Sequence, residues 1–239
     1  MKREIVLVVL TLSLFGGADR HSFGSSPPEK PQAFCVCLDP GHPSEKNDGM
    51  GLTNGLREVT VNWQVALLLQ GELEKDGVQV VMTKSSEQEF VPNERRAATA
   101  NEKHADLFLR LHADAGDSSG FTIYYPRKAG SIRGTTGPSP DVRQKSEAAA
   151  KLFHQSFADA LRGQLKDNGL RGDEQSFIGS KQGALTGSIF SKVPTVLVEM
   201  VFLTNPADAA WIKQASNQAI MAQALAAGVR AVRNSVPRP

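Results

Sequence analysis

The sequence predicts an α/β fold of three layers, with a central, mostly parallel, twisted sheet flanked by helices. Three short apolar runs bounded by Pro, Gly or polar residues are typical of buried strands. They lie at Ala33 to His42, Ala105 to Leu111 and Pro194 to Val198. Segments with helical spacing alternate with the strands in the first half of the chain, and this order favours right-handed crossovers between parallel strands.

Each of these three strands ends in a side chain that can do chemistry. The first runs into Asp39 and His42, the second into His112 and the third into Glu199. Because ligands of α/β sheets bind at the carboxyl ends of the strands, we expect these side chains to meet at one edge of the sheet.

The first half of the domain reads as strand, helix, strand, helix, strand. Val59 to Lys75 has apolar residues at helical spacing, with Glu58 at its first turn and Gly77 just past its end. Val78 to Thr83 follows as a strand, and Pro92 to Asn101 as a short helix with Pro near its start.

The second half predicts a strand near a sheet edge, a mobile loop and a long helix. These are Gly120 to Pro126, Lys128 to Pro140 and Asp141 to Asn168. Asp141 is expected to cap the helix and Gly169 to end it. A short strand is expected near Phe177, and the last helix is expected to begin at Asn205-Pro206, with Asn as its cap.

The amino terminus has the layout of a secretory signal peptide. Lys2 and Arg3 precede the apolar segment Ile5 to Phe15, which is followed by small residues up to Ala18. We therefore expect a signal peptide at 1–18, a linker at 19–33, one catalytic domain at 34–233 and a tail at 234–239. An uncleaved anchor is the alternative for the leader. In either case the domain is exported to the periplasm or cell envelope, with no stable membrane span after leader cleavage.

Composition excludes some partners. The 27 basic and 25 acidic residues give a formal net charge of +2, which does not indicate a nucleic-acid partner. Cys35 and Cys37 stand two apart in a strand, where a disulfide would be strained. They are interpreted as small buried apolar residues, with a metal pair as the alternative.

His42, Glu58 and His112 together offer two imidazoles and one carboxylate to a divalent metal. For zinc, three protein ligands leave a fourth position open for water, which is a catalytic arrangement. Glu199 could then take a proton from the water and pass it to a leaving nitrogen. Asp39 is a candidate acceptor for the free imidazole nitrogen of His42 or His112.

Taken one at a time, these residues have simpler interpretations. A histidine at a strand end is often a hydrogen-bonded structural residue, and Glu58 suits a helix amino terminus as a favourable charge. Glu199 is harder to explain this way, because it follows an apolar strand whose surroundings raise the pKa of a carboxyl group.

Four motifs in register resemble the zinc-dependent N-acetylmuramoyl-L-alanine amidases of bacterial cell walls. They are LDPGH, REVTVN, Arg96 with Ala100-Asn101 before ADLFLRLHAD, and VPTVLVEMVFLTNP, and they span Phe34 to Arg233. The resemblance implies an α/β fold, zinc on His42, Glu58 and His112, and Glu199 as the catalytic carboxylate. It also implies hydrolysis of the amide between the lactyl group of N-acetylmuramic acid and L-alanine in peptidoglycan or muropeptides.

The sequence departs from the family pattern at several cleft positions, among them Arg110, where the family has a small polar residue. Some exported relatives carry an inserted helix that covers the zinc until a protein activator moves it. We assign the one long helix after His112, Asp141 to Asn168, to the core fold, which predicts an accessible site.

Two alternatives to the amidase stay open. A zinc carboxypeptidase of similar architecture would need a basic group for a terminal carboxylate, and Arg96, Arg110 and Arg171 are available. A catalytically silent wall-binding or regulatory protein would be expected to lack a ligand or the acid, and all four residues are present here.

Overall fold

The computed structural model describes residues 33–236. The predicted signal peptide lies outside the described residues, as do the linker up to residue 32 and the tail from residue 237.

The centre of the fold is a six-stranded mixed sheet. The strands of the protein in chain order are β1 (Cys35–Pro40), β2 (Leu52–Thr53), β3 (Leu56–Arg57), β4 (Gln79–Met82), β5 (Leu107–Asp114), β6 (Phe121–Tyr125), β7 (Gly130–Ile132), β8 (Thr135–Gly137), β9 (Asp167–Gly172) and β10 (Thr195–Phe202). The sheet has the order β4-β1-β5-β10-β6-β9, and every pair is parallel except β10 with β6. β2 pairs with β3, and β7 with β8, in two separate hairpins.

Helices cover both faces of this sheet. They are α1 (Glu58–Lys75), α2 (Asn93–Glu102), α3 (Pro140–Leu161), α4 (Gly179–Gln182), α5 (Thr186–Phe190), α6 (Pro206–Ile212) and α7 (Ala215–Ser235). α1, α3 and α7 pack together over one face and contribute most of the large core, whereas α2 and α5 pack over the other. The predicted three-layer α/β fold is therefore confirmed.

The strand β1 shows how the two cores are divided. Its side chains alternate between the faces of the sheet, as a period of two requires. Val36 and Leu38 lie in the core under α1, while Cys35 and Cys37 lie in the smaller core under α2. Both cysteines are free and buried, which confirms their interpretation as small apolar residues.

The three strands with polar ends are neighbours at the centre of the sheet. β5 lies between β1 and β10, with Asp39 opposite Arg110 and Glu199 opposite His112 in the ladders. Because all three strands are parallel, their carboxyl ends meet at one edge, as the sequence predicts.

The region around the long helix differs from the prediction. Lys128 to Pro140 is not an irregular loop, because β7 and β8 form a hairpin within it. Ser139 rather than Asp141 caps α3, since its side chain accepts a hydrogen bond from the Val142 amide. The helix ends at Leu161, not Asn168, because Arg162 adopts a left-handed conformation with φ of 51° and β9 then pairs with β6.

Two further predictions are corrected near the carboxyl end. No strand forms near Phe177, because a 3-10 turn at Asp173–Gln175 and the short helix α4 occupy this segment. The last helical region is split into α6 and α7. Asn205 caps α6 as predicted, by accepting hydrogen bonds from the amides of Ala207 and Asp208. Within residues 33–236, no helix has the length and apolar character needed to cross a bilayer.

Candidate metal centre

Three elements bring the predicted ligands together. His42 follows β1 directly, Glu58 is the first residue of α1, and His112 lies in β5. One ligand atom from each residue lies within 4.8 Å of the others, which makes this group a possible metal site.

The Glu58 carboxylate is the point on which both imidazoles converge. Its Oε1 atom lies 3.1 Å from Nε2 of His42 and 3.1 Å from Nδ1 of His112. The two rings are nearly perpendicular, at 85°, with centroids 4.9 Å apart. Each residue therefore turns a nitrogen or oxygen toward the same small space.

Backbone contacts orient His42. Its Nδ1 atom lies 2.9 Å from the carbonyl oxygen of Asn47, to which it donates when it carries the ring proton. This tautomer leaves the Nε2 lone pair facing Glu58 and His112, as a metal ligand requires. His42 itself has a φ of 65°, a conformation that is uncommon outside glycine. The ammonium group of Lys84 donates to the His42 carbonyl oxygen and helps to hold this turn.

The Glu58 side chain is held from its own helix and from β5. Asn62, one turn further along α1, donates through Nδ2 to Glu58 Oε1 at 3.3 Å and to the Gly41 carbonyl at 3.4 Å. The Ala113 amide donates to the same carboxylate oxygen at 3.2 Å.

Gly41 is required because the His112 ring lies against its backbone. A Cβ atom at this position would lie 2.4 Å from Cε1 and 2.5 Å from Nε2 of His112. The glycine of the DPGH motif thus leaves room for the His112 ring on the neighbouring strand.

The charges of the triad suit a cation. Burial tends to raise the pKa of Glu58, but its hydrogen bonds to His112 and His42 outweigh burial and hold the pKa well below its usual range. Burial lowers the pKa of His112 to about 4, despite its hydrogen bond to Glu58, so this imidazole is neutral at pH 7. Burial also acts against the charged form of His42, but the hydrogen bond to Glu58 raises its pKa overall.

Glu199 lies beside the triad, opposite His112 on β10. Both residues, with His42 and Glu58, line one cavity of about 580 Å³. Within residues 33–236, the buried Oε2 atom of Glu199 has no hydrogen-bond partner. Burial raises the pKa of Glu199 well above its usual value, and the negative charges of Asp114 and Glu58 raise it further.

The predicted role of Asp39 as a partner of an imidazole is wrong. Its Oδ1 accepts hydrogen bonds from Arg96 Nη1 at 2.6 Å and from the Thr83 hydroxyl at 2.6 Å, and its Oδ2 accepts one from Arg110 Nε at 2.8 Å. Burial acts to raise the pKa of Asp39, but the two guanidinium groups hold it well below its usual range. Asp39 therefore joins Arg96 and Arg110 beneath the site.

The donor set fits a zinc ion. Two imidazole nitrogens and one carboxylate oxygen make up a common set of catalytic zinc ligands, with one position left for water. His42, Glu58 and His112 would hold the metal.

Sequence reasoning missed three contacts that shape the site. These are the hydrogen bonds from Asn62 to Glu58, from Lys84 to the His42 carbonyl and from His42 to the Asn47 carbonyl. Asn62 had a usable signal, because it stands four residues after Glu58 and thus on the same face of the helix. The other two depend on the course of a loop and have no local signal.

Comparison with known proteins agrees with this architecture. Among curated proteins, N-acetylmuramoyl-L-alanine amidase LytC of Bacillus subtilis is 31% identical over 193 residues, covering 80% of this chain and 34% of LytC. N-acetylmuramoyl-L-alanine amidase AmiC of Escherichia coli is 29% identical over 82% of this chain and 52% of its own length. The chain thus spans about a third to a half of these two relatives.

Solved structures give the same result for the fold. The catalytic domain of CwlV, an N-acetylmuramoyl-L-alanine amidase from Bacillus (Paenibacillus) polymyxa, has a TM-score of 0.66 at 25% identity, covering 84% of this chain and 99% of CwlV. Ami1 from Mycobacterium smegmatis has a TM-score of 0.70 at 22% identity, covering 85% of this chain and 98% of Ami1. The family model Amidase_3, described as N-acetylmuramoyl-L-alanine amidase, matches residues 36–231. The chain therefore belongs to the Amidase_3 family of N-acetylmuramoyl-L-alanine amidases.

Proposed function

We propose that this protein is a zinc-dependent hydrolase that cleaves the amide bond between N-acetylmuramic acid and L-alanine of peptidoglycan stem peptides. The observation that carries the proposal is the convergence of His42, Glu58 and His112 beside Glu199 in one cavity. Membership of the amidase family supports the choice of substrate.

Zinc at this site would act as a Lewis acid toward the amide carbonyl and toward water. Glu58 and the two histidines would hold the ion, and the Asn47 carbonyl keeps the Nε2 atom of His42 in the form that could bind it.

Glu199 serves as the general base and then as the general acid. Its free Oε2 atom takes a proton from the attacking water, whose oxygen bonds to the carbonyl carbon. The same proton passes to the nitrogen of L-alanine as the carbon–nitrogen bond breaks. The products are the lactyl carboxylate of the sugar and a stem peptide with a free amino terminus.

Peptidoglycan or its muropeptide fragments are thus the proposed partner, and an exported location in the periplasm or cell envelope follows from that substrate. The predicted leader has the matching layout. The site opens into the cavity, and α3 packs on α7 as part of the core, which supports an accessible active site. A protein activator stays a prediction.

The complete donor set and the unpartnered Glu199 carboxylate favour an enzyme over a silent wall-binding protein. A carboxypeptidase would use the same zinc and carboxylate, so the products must separate the two enzymes.

The test is mass spectrometry of purified muropeptides after incubation with the zinc-loaded protein, beside a chelated sample. We expect free stem peptides with an L-alanine amino terminus, and none of them under chelation. Release of a carboxyl-terminal amino acid instead would show a carboxypeptidase. Absence of any product from a protein that holds one zinc equivalent would contradict the proposal.

A further inference from the structure

We propose that Arg110 binds a carboxylate of the substrate and makes the enzyme selective for stem peptides with a free carboxylate one residue beyond L-alanine. The inference rests on the proposed function and adds a specificity-determining residue to it.

Arg110 lies in the wall of the active-site cavity. It stands two residues before His112 in β5, so the two side chains leave the same face of the sheet about 7 Å apart along the strand. Arg110 is 3% exposed, and it lines the same cavity as His112 and Glu199. Its guanidinium group is therefore held in a largely dry environment next to the reacting groups.

Two of its three guanidinium nitrogens are fixed by the protein. Nε donates to Asp39 Oδ2 at 2.8 Å, and Nη2 donates to Asn93 Oδ1 at 2.5 Å. Asn93 is held in turn by the Glu45 carboxylate. Nη1 takes part in none of the hydrogen bonds formed within residues 33–236, so the group is oriented while one nitrogen keeps its donors for a ligand.

Gly187 provides the space that this nitrogen needs. A Cβ atom on Gly187 would lie 2.7 Å from Arg110 Nη1 and 2.8 Å from Cζ. A side chain at this position would displace the guanidinium group.

Among the described residues, the carboxylate that accepts a hydrogen bond from Arg110 is shared with a second arginine. Asp39 is shared with Arg96, which also donates to three backbone carbonyls and so has its donors engaged. The charge of Arg110 also acts on the buried carboxyl group of Asp173, but no hydrogen bond joins the two within the described residues. The Oδ2 atom of Asp173 accepts from the Leu185 amide, and its Oδ1 atom has no partner there. Two guanidinium groups thus share one hydrogen-bonded carboxylate, which favours an anionic ligand at the free nitrogen.

Of the three arginines that the sequence offers for binding a carboxylate, Arg110 is the one placed to do so. Arg96 is fully buried beneath the cavity, and each of its three guanidinium nitrogens already donates a hydrogen bond within the protein. Arg171 is exposed and is not among the residues that line the cavity.

The spacing suits a carboxylate on the second residue of the stem peptide. An extended peptide advances about 3.3–3.6 Å per residue, so such a carboxylate lies about 7 Å from the scissile nitrogen. The backbone rise from Arg110 to the candidate ligand His112 along β5 is of similar size. A charge-assisted hydrogen bond there would select the acid over its amide.

The experiment compares two synthetic substrates, N-acetylmuramoyl-L-alanyl-glutamate and its isosteric α-carboxamide, with the zinc-loaded enzyme. We expect the wild type to prefer the free acid by about 10- to 100-fold in kcat/KM. In Arg110→Gln and Arg110→Lys, the ratio of the two kcat/KM values should fall to about 2-fold or less, chiefly through a higher KM for the acid. Lys46→Gln is the matched control, because Lys46 is an exposed cation that lines the same cavity.

Several results would overturn the inference. One is equal cleavage of the two substrates by the wild type, which needs no folded variant. A second is an equal loss on both substrates in a folded Arg110 variant, which would mark a structural role. A third is loss of the preference in Lys46→Gln. If the wild type cleaves neither substrate, the proposed function fails. Calorimetry then measures binding of the acid and of its α-carboxamide to the Glu199→Gln variant, and equal affinities for the two compounds would overturn the role of Arg110.

Discussion

At the scale of single residues, the site is determined by which partner each buried charged group has. Glu58 is surrounded by donors, and two arginines hold Asp39. The Oε2 atom of Glu199 has no protein donor within residues 33–236, although it is buried. A buried carboxylate oxygen without a partner is costly, and such costs are common where the group serves a reaction.

Glu199→Gln should reduce turnover by about 10²- to 10⁴-fold, because the amide keeps the shape of the side chain but cannot take the proton. The zinc content should stay at one equivalent, since the residue is not one of the proposed ligands. Product release from muropeptides and elemental analysis measure the two effects. Turnover close to the wild type would remove Glu199 from the mechanism.

Asp39→Asn should lower the free energy of unfolding by about 3–5 kcal/mol, because it leaves the guanidinium groups of Arg96 and Arg110 buried without a counterion. Urea denaturation measures the change. Glu102→Gln is the matched control, because it breaks an ion pair at the surface. The side chain of Arg95 is 57% exposed and that of Glu102 is 56% exposed. Exposed pairs contribute little, so the control should unfold at nearly the same urea concentration.

At the scale of elements, the helices that cover the large core meet through small residues. Within residues 33–236, α3 and α7 form the most extensive contact between two helices. In this contact, the Phe153 ring of α3 lies against the backbone of Gly228 in α7. A Cβ atom on Gly228 would lie 2.7 Å from two carbons of that ring. This glycine therefore sets the distance between the two helices.

Gly228→Ala should destabilise the protein, even though alanine is favoured over glycine in a helix by about 1 kcal/mol. The clash with the buried Phe153 ring costs about 1–3 kcal/mol in a close-packed core. Gly71→Ala in α1 is the matched control, because a Cβ there meets nothing within 4 Å. The control should raise the melting temperature while Gly228→Ala lowers it, and a gain in both would contradict this packing.

At the scale of the whole molecule, stability depends on pH through buried carboxyl groups with opposite pKa shifts. The arginine neighbours of Asp39 lower its pKa, so its contribution is present at neutral pH and is lost as the pH falls. The pKa of Asp173 is shifted in the opposite direction, so its contribution to stability is lost as the pH rises. Burial raises its pKa from 3.8 to about 6, and its Oδ1 atom has no partner within the described residues.

Asp173→Asn should therefore become more stable relative to the wild type as the pH rises. The native state binds the Asp173 proton more tightly than the unfolded state does. The contribution of Asp173 to the free energy of unfolding is therefore fully present below about pH 4 and is lost above about pH 6. The change is on the order of 3 kcal/mol for a shift of this size. Urea unfolding of both proteins at pH 4 and 7.5, in the presence of chelator so that zinc does not contribute, measures it. Parallel profiles would contradict the prediction.

Much of the fold followed from local patterns. Strands β1, β5 and β10 could be located as short apolar runs with polar or Pro and Gly boundaries, and helix α1 by its apolar period of 3.6 residues, because these patterns are properties of the sequence itself. The ends of α3 and the β7/β8 hairpin could not. Helix ends and short hairpins depend on competing contacts, here the pairing of β9 with β6, which no local pattern contains.

By itself, then, the sequence determined the three-layer fold and the expectation that His42, His112 and Glu199 meet at one edge of the sheet, because local apolar patterns locate the strands that carry them. The tertiary structure decided that these three strands are neighbours. It also decided the hydrogen-bond partners. It assigned Asp39 to two arginines instead of a histidine, and it placed Arg110 in the lining of the active-site cavity. The reason is physical: a buried charge pairs with whichever donor the packing brings within about 3 Å, and residues distant in sequence meet only in the folded chain.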